Sequence, residues 1–90
     1  MVAPYTVELH PEAQDSLRRL SKLQAQRILT KIRWLAENFA QISHETLTGE
    51  FRGLFKLRVG DYRVIYSVDH REQRIVIHLI GHRRNIYEHH

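Results

Sequence analysis

A chain of ninety residues is long enough for one small domain and too short for two. Hydrophobic residues make up 42% and charged residues 27% of it, an ordinary globular mixture that excludes an intrinsically disordered chain. Because there is no cysteine, disulfides and thiolate metal sites are excluded as well, and the small core has to form by apolar packing alone.

The charge balance of the chain is basic. Fourteen Lys and Arg residues face ten Asp and Glu residues, which gives a formal net charge of +4 and a pI near 9.9. Most of these cations are arginines, whose planar guanidinium suits bidentate contacts to phosphate. The balance therefore favours a polyanionic partner, either a nucleic acid or an acidic protein. The sequence shows no signal-peptide pattern and no long apolar run, so we expect a cytoplasmic protein without membrane association.

The first half of the chain has the pattern of one strand followed by two helices. Tyr5–His10 alternates apolar and polar residues, which is typical of a strand with Tyr5, Val7 and Leu9 on one face. Pro11 suits the first position of a helix, and an apolar stripe follows at Ala13, Leu17 and Leu20. Ser21 with Gln24 resembles a capping box, which is followed by a second stripe of Ala25, Ile28, Ile32, Leu35 and Phe39. Two amphipathic helices joined so closely predict a helical hairpin.

The second half has the pattern of a loop and three strands. Residues 40–50 predict a loop ending at Gly49, and the strands are expected at Phe51–Val59, Tyr62–Asp69 and Arg74–Ile80. The order β-α-α-β-β-β predicts an α+β fold, with the N-terminal strand and helical hairpin packed on one face of a mainly antiparallel sheet. We expect residues 1–88 to form this single domain and His89-His90 to be a tail, such as a tag remnant.

The dipeptide Gly60-Asp61 is expected to join two strands in a type II′ turn, because glycine comes first. This turn places Arg58 opposite Arg63 and puts Lys56 on the same face, while the other face is apolar and has to meet the helices. Like charges directly opposite each other are destabilising. The pattern therefore favours an anion bound among the three cations. The alternative is that these cations are merely solvated and paired with Asp61 or Glu50.

Two segments resemble the signature of RelE-type toxins in the RelE/ParE superfamily. They are residues 55–66, Phe-Lys-Leu-Arg-Val-Gly-Asp-Tyr-Arg-Val-Ile-Tyr, and residues 81–87, Gly-His-Arg-Arg-Asn-Ile-Tyr. The resemblance implies the toxin of a type II toxin–antitoxin system, a metal-independent endoribonuclease without cofactors that cleaves mRNA in the ribosomal A site and so inhibits translation and growth. It also implies a cognate antitoxin as partner, beside the ribosome and mRNA, and a toxin–antitoxin complex that binds operator DNA. The surplus of arginine predicts an acidic toxin-binding segment in that antitoxin.

The same resemblance assigns candidate site residues. Arg63 is the expected phosphate stabiliser, and Lys56 is expected to help the 2′-hydroxyl proton leave. Arg83 would stabilise the transition state or assist the leaving group, and Tyr87 would stack on a base or transfer a proton. The expected RNA-binding residues are Arg58, His82 and Arg84, with His82 also a candidate acid.

One position departs from the family pattern. Leu54 stands where ribosome-dependent members carry a further lysine, which puts the activity and the codon preference in doubt. The other histidines inside the domain are scattered and predict no metal site; they are His10, His44, His70 and His78.

Two other functions stay open at this point. One is a ParE-like inhibitor of DNA gyrase that has no catalytic site of its own, and the other is a catalytically silent protein whose basic face only binds the acidic antitoxin. ParE-like chains generally lack the set Lys56, Arg63, Arg83 and Tyr87, so its presence here favours the nuclease.

Overall fold

The structure is a computed structural model that describes residues 4–87. Its elements are β1 (Thr6–Leu9), α1 (Pro11–Arg19), α2 (Lys22–Glu37), β2 (Glu45–Thr46), β3 (Phe55–Val59), β4 (Tyr62–Asp69) and β5 (Arg74–His82), with 3-10 turns at Phe39–Gln41 and Gly49–Phe51. The strands form one sheet in the order β1-β5-β4-β3-β2, in which β1 is parallel to β5 and the other pairs are antiparallel. The predicted α+β fold is confirmed.

Local sequence explains where the two helices begin. Pro11 occupies the start of α1, where its missing N–H costs no hydrogen bond. Ser21 caps α2, because its hydroxyl oxygen accepts a hydrogen bond from the backbone N–H of Gln24 at 3.2 Å. Such a cap contributes about 1 kcal/mol to helix stability. The predicted helical hairpin therefore forms with a two-residue connection.

The core lies between the helices and one face of the sheet. The helices contribute Ala13, Ile28, Ile32, Leu35 and Ala36, and the sheet contributes Leu57, Val64, Tyr66, Ile75, Ile77 and Ile80. Each buried aliphatic side chain contributes roughly 1.5 to 3 kcal/mol relative to exposure. Val7 was predicted to lie on the apolar face of the first strand, but its side chain is 39% exposed. The reason is that β1 is a short strand at the edge of the sheet.

Three predicted boundaries in the second half were wrong. The predicted loop at 40–50 contains the short strand β2, which has too few residues to show any alternation. β3 starts at Phe55 instead of Phe51, because Gly49 and Gly53 adopt positive φ angles of 67° and 92° that break an extended strand. β5 continues past Ile80 to His82.

Within residues 4–87, no helix is long and apolar enough to cross a membrane. The predicted domain boundary after residue 88 and the predicted tail at His89-His90 lie outside the described residues.

Candidate functional site

The β3–β4 hairpin has the register expected from its turn. Arg58 pairs with Arg63, and Val59 pairs with Tyr62 on either side of Gly60-Asp61. Gly60 has a φ of 60°, and Asp61 is not among the residues with positive φ, which fits a type II′ turn rather than type I′. The turn thus fixes which side chains of the two strands share a face.

The hairpin separates its apolar and charged side chains onto opposite faces. Leu57 and Val64 are paired residues that are buried against the helices. Lys56, Arg58 and Arg63 alternate with them and therefore lie on the other side of the sheet, and we call the surface they form the cationic face. The structure brings these three predicted site residues together.

A carboxylate that the sequence analysis did not single out lies at this face. Glu45 in β2 pairs directly with Lys56 in β3. Its Oε2 lies 2.8 Å from Lys56 Nζ, and its Oε1 lies 3.4 Å from Arg58 Nε. The suggested pairing with Asp61 or Glu50 was therefore wrong for these two cations, because β2 brings Glu45 closer. A strand of two residues shows no alternation, so the sequence did not predict that Glu45 pairs with Lys56.

The two cations control the ionisation of Glu45. The hydrogen bond from Lys56 is the main cause that holds the pKa of Glu45 below its usual value, with a smaller contribution from Arg58 and an opposing effect of partial desolvation. Glu45 is therefore a carboxylate anion at neutral pH.

Arg63 is held by the backbone of its own turn. Its Nη1 donates hydrogen bonds to the carbonyl oxygens of Gly60 and Tyr62, both at 2.8 Å. Its Nε and Nη2 groups are not engaged by any of the described residues. The guanidinium is thus oriented in advance while part of its donor fork stays available for an anion.

The segment after β5 folds back over the cationic face. Gly81 pairs with Arg63, and a Cβ on Gly81 would lie only 3.5 Å from the side chain of Ile86. Ile86 is 4% exposed, and Ile65 on the same side of the sheet is fully buried, yet both lie outside the helix-side core. A second small apolar layer therefore fixes this segment against the sheet.

This segment places Arg83 beside the Gly60-Asp61 turn and Tyr87 beside Phe51. The backbone N–H of Arg83 donates to the carbonyl of Asp61 at 2.8 Å, and its Nε lies 3.7 Å from the Asp61 carboxylate. The ring of Tyr87, 39% exposed, meets the ring of Phe51 edge-on at 5.4 Å. Arg83 is therefore tied to the turn whose backbone also holds Arg63, and Tyr87 is tied to Phe51, which precedes β3.

His82 is the predicted site residue that the structure does not bring to this surface. It pairs with Tyr62, whose side chain packs against the helix-side core, and the two rings are 5.5 Å apart. Alternation along β5 turns His82 to the opposite side from Gly81, so the predicted RNA-binding residues Arg58 and His82 lie on different faces of the sheet. The exposed Arg84 follows it, with its backbone N–H bonded to His82 Nδ1 at 3.2 Å.

Two histidines that the sequence left unassigned have structural partners. His44 Nε2 lies 2.9 Å from the Phe39 carbonyl, and its Nδ1 lies 2.7 Å from the Tyr66 hydroxyl. His78 Nε2 lies 2.7 Å from the Ser67 hydroxyl, and burial lowers the pKa of His78, assisted by the nearby His10. Among residues 4–87, no group of three or more His, Asp or Glu side chains could hold a metal ion.

Comparisons with known proteins point to one family. Residues 7–87 match the family model described as the ParE toxin of the type II toxin–antitoxin system parDE. The chain is 33% identical to Toxin RelG of Mycobacterium tuberculosis over 90 residues, which covers 93% of this chain and 97% of that protein.

Solved structures give the same result. The toxin–antitoxin complex RelBE2 of Mycobacterium tuberculosis contains a chain with a TM-score of 0.81 and 26% identity, covering 94% of this chain and 98% of that one. The archaeal RelE–RelB complex of Pyrococcus horikoshii contains one with a TM-score of 0.72 and 28% identity, covering 92% and 99%. The isolated RelE toxin of E. coli, with a TM-score of 0.72 and coverage of 87% and 83%, is 19% identical and shares the fold.

Proposed function

Since this chain belongs to the RelE/ParE family of toxins of type II toxin–antitoxin systems, we propose that it is a ribosome-dependent endoribonuclease. In this proposal it cleaves mRNA in the ribosomal A site by attack of a 2′-hydroxyl, without a metal or cofactor, and so inhibits translation and growth. The observation that carries the proposal is the convergence of Arg58, Arg63 and Arg83 around one hairpin turn.

The chemistry of such cleavage matches a cationic site. Attack of the 2′-oxygen on the neighbouring phosphorus builds negative charge on the phosphoryl oxygens, and positioned cations stabilise it. Arg63 is held by two carbonyl oxygens before any substrate arrives, so it needs little reorganisation to meet that charge. The side chain of Arg58 lies opposite it and is 63% exposed, which suits a contact to the RNA backbone.

The segment after β5 supplies the remaining proposed groups. Arg83 lies at the Asp61 end of the cationic face, where it can stabilise the departing 5′-oxygen. Tyr87 presents a partly exposed ring beside Phe51, which suits stacking on a nucleobase, a contact worth about 1 to 3 kcal/mol. Arg84 is exposed and suits a contact to RNA phosphates.

Two observations favour a second candidate function. The family model that matches residues 7–87 is that of ParE toxins, and Leu54 replaces a lysine expected of ribosome-dependent members. A gyrase inhibitor would need a protein-binding surface and no preorganised phosphate site. The two fixed arginines, Arg63 and Arg83, favour the nuclease over this alternative.

The proposed partners follow from the relatives. Two of the similar solved structures, from Mycobacterium tuberculosis and Pyrococcus horikoshii, are complexes of a toxin with its antitoxin. They support a cognate antitoxin as the partner of this chain. We further propose that the toxin-binding segment of this antitoxin is acidic, that the target is mRNA on the ribosome in the cytoplasm, and that the toxin–antitoxin complex binds operator DNA.

In vitro translation with the purified chain separates the candidates. Primer extension on the mRNA is expected to show new 5′ ends at a fixed position within codons. Supercoiling of plasmid DNA by gyrase is expected to proceed normally in the presence of the chain. If the mRNA stays intact and gyrase is inhibited, the ParE-like function replaces the proposed nuclease function. If neither mRNA cleavage nor gyrase inhibition occurs, the chain acts only by binding its antitoxin.

A further inference from the structure

A β-bulge in β5 turns an extra side chain to the side of the sheet that carries the cationic face. Ile77 and Ile80 both lie in the helix-side core, with two residues between them where strict alternation allows one. The register of β5 against β4 shifts at this point, which leaves His78 as the extra residue. Its Nε2 lies 2.7 Å from the hydroxyl of Ser67, which shares a side of β4 with Arg63. His78 therefore lies on the same side of the sheet as the cationic face.

A pocket of about 410 Å³ opens beside His78. The ring of His10 packs on that of His78 with 4.8 Å between the centroids, and Phe51 and Leu54 line other parts of the wall. Tyr87, whose ring meets that of Phe51 at 5.4 Å, lies next to this wall. The volume falls within the range of roughly 300 to 1,000 Å³ that is typical of small-molecule sites. Rings and aliphatic side chains on the wall suit a flat heteroaromatic ligand.

Two carboxylates line the same pocket. Glu12 comes from the first turn of α1, and Glu50 comes from the 3-10 turn before β3. Neither side chain forms a hydrogen bond or an ion pair with another residue in the range 4–87. Carboxylates accept hydrogen bonds and repel phosphate. The pocket therefore suits a ligand that presents N–H donors, and it disfavours a phosphate group.

The pocket lies beyond the cationic face on the side away from the Gly60-Asp61 turn. Arg63 pairs with Gly81, and Leu79, which lines the pocket, pairs with Ile65 two residues farther from the turn. Two residues of a strand span roughly 7 Å, which is about the length of one nucleotide. Arg83 lies at the turn, where the proposed function puts the departing 5′-oxygen. The nucleotide on the 5′ side of the cut therefore extends toward the pocket.

Carboxylates in the pocket distinguish among the four bases of RNA. Guanine presents two neighbouring donors on its Watson–Crick edge, N1–H and the amino group, and carboxylate oxygens can accept from both. Adenine and cytosine place a lone pair beside their amino group, and uracil flanks its single N–H with two carbonyl oxygens. Each of these three bases therefore sets an acceptor against the acceptors of the pocket.

We propose that this pocket binds the guanine base of the nucleotide on the 5′ side of the cut. The inference rests on the ribonuclease function proposed above and names the base that its site selects. The carboxylates of Glu12 and Glu50 accept the hydrogen bonds from N1–H and the amino group. The base lies against the rings of His10 and His78. Burial lowers the pKa of His78, with a smaller contribution from His10, so His78 is neutral at pH 7 and adds no charge that would attract phosphate.

Cleavage of matched mRNAs tests the base preference. Ribosomes are programmed with mRNAs that differ only in the base on the 5′ side of the mapped cut, which is guanine, hypoxanthine or adenine. Hypoxanthine keeps the N1–H of guanine and lacks the amino group. We expect the unmodified chain to cut the guanine mRNA roughly 5- to 150-fold faster than the adenine mRNA in single-turnover reactions. The hypoxanthine mRNA should be cut at an intermediate rate.

Removing the two carboxylates should remove the preference. A glutamine side chain sets N–H donors against those of guanine, so the ratio of the guanine rate to the adenine rate should fall close to one in the double variant Glu12→Gln/Glu50→Gln. The double variant Glu37→Gln/Glu72→Gln, at two exposed carboxylates outside the pocket, changes the net charge by the same amount and should keep the ratio. A general loss of stability would not move this ratio, because both mRNAs meet the same protein.

The outcomes separate the pocket from the nuclease. A ratio near one in the unmodified chain, or a ratio that Glu12→Gln/Glu50→Gln leaves unchanged, would overturn the guanine pocket. The ribonuclease function would stand in both cases, because cleavage is still observed. If the unmodified chain cuts none of the three mRNAs, the proposed function itself fails and the guanine pocket fails with it.

Discussion

Arg63 shows at the scale of one residue how local bonding prepares a charged group. Two backbone carbonyls of the turn hold its Nη1, and no carboxylate among the described residues neutralises it. Its place opposite Arg58 follows from the Gly60-Asp61 turn alone, so the sequence was sufficient to predict it. Glu45 could not be predicted in this way, because a strand of two residues has no period and its pairing with Lys56 depends on the path of the preceding loop.

Removing the fixed arginines should abolish activity with little effect on folding. Arg63→Ala and Arg83→Ala are each expected to slow ribosome-dependent cleavage roughly a hundred- to a thousand-fold, because each removes one preorganised stabiliser of transition-state charge. Thermal melting should shift little, since surface cations contribute little to folding. Arg71→Ala, an exposed arginine in the β4–β5 turn, is the control. Full cleavage by folded Arg63→Ala and Arg83→Ala would contradict the assignment of these two arginines as stabilisers of the transition state.

Tyr66 should make the fold sensitive to alkaline pH. Its side chain is 1% exposed, and burial raises its pKa to about 12. Because the pKa of this phenol is higher in the folded state than its value of about 10 in the unfolded state, its full contribution to the free energy of unfolding is present below pH 10. This contribution is lost as the pH rises toward 12. We expect the unfolding free energy to fall by roughly 2 kcal/mol more in the unmodified chain than in Tyr66→Phe over this range. Urea titrations at pH 9 and pH 12 measure the difference, and parallel losses in both proteins would contradict it.

At the scale of secondary-structure elements, strong periodicity predicted the helices and the longer strands. The capping pair Ser21 and Gln24 and the turn at Gly60-Asp61 marked boundaries that the structure keeps. The boundaries that failed lie around Gly49 and Gly53, where positive φ angles interrupt an otherwise strand-like stretch. His82 was misplaced for a related reason: the expected strand ended at Ile80, so its alternation was not carried on to the next two residues.

Ile86 should act as the anchor that holds the closing segment on the cationic face. Ile86→Ala removes the buried side chain that packs on Gly81, and a substitution of this kind typically costs about 2 to 5 kcal/mol. We expect faster amide hydrogen exchange at residues 83–86 and a lower cleavage rate, because Arg83 loses its fixed position. Leu23→Ala, at a side chain that is 63% exposed, is the matched control. Unchanged exchange in Ile86→Ala would show that other contacts hold the segment.

At the scale of the whole molecule, the basic charge should govern binding to the antitoxin. The chain carries a formal net charge of +4, which would attract an acidic partner segment. Salt screens this attraction and so reduces the distance over which it acts. We expect the dissociation constant of the purified toxin–antitoxin complex to rise as salt is increased from 50 to 500 mM, mainly through a slower association rate. Surface plasmon resonance measures both rates, and affinity that is indifferent to salt would contradict an electrostatic contribution.

In the proposed function, the cationic face of Lys56, Arg58 and Arg63 stabilises the charge that forms when a ribose 2′-hydroxyl attacks the phosphorus. The most direct measurement uses ribosomes programmed with an mRNA that carries one 2′-deoxynucleotide on the 5′ side of the mapped cut, compared with the all-ribose mRNA. We expect the all-ribose mRNA to be cut to a 2′,3′-cyclic phosphate and a 5′-hydroxyl. The substituted mRNA should remain intact at that position while it binds the toxin equally well. Cleavage of the substituted mRNA at the same position would contradict attack by the 2′-hydroxyl.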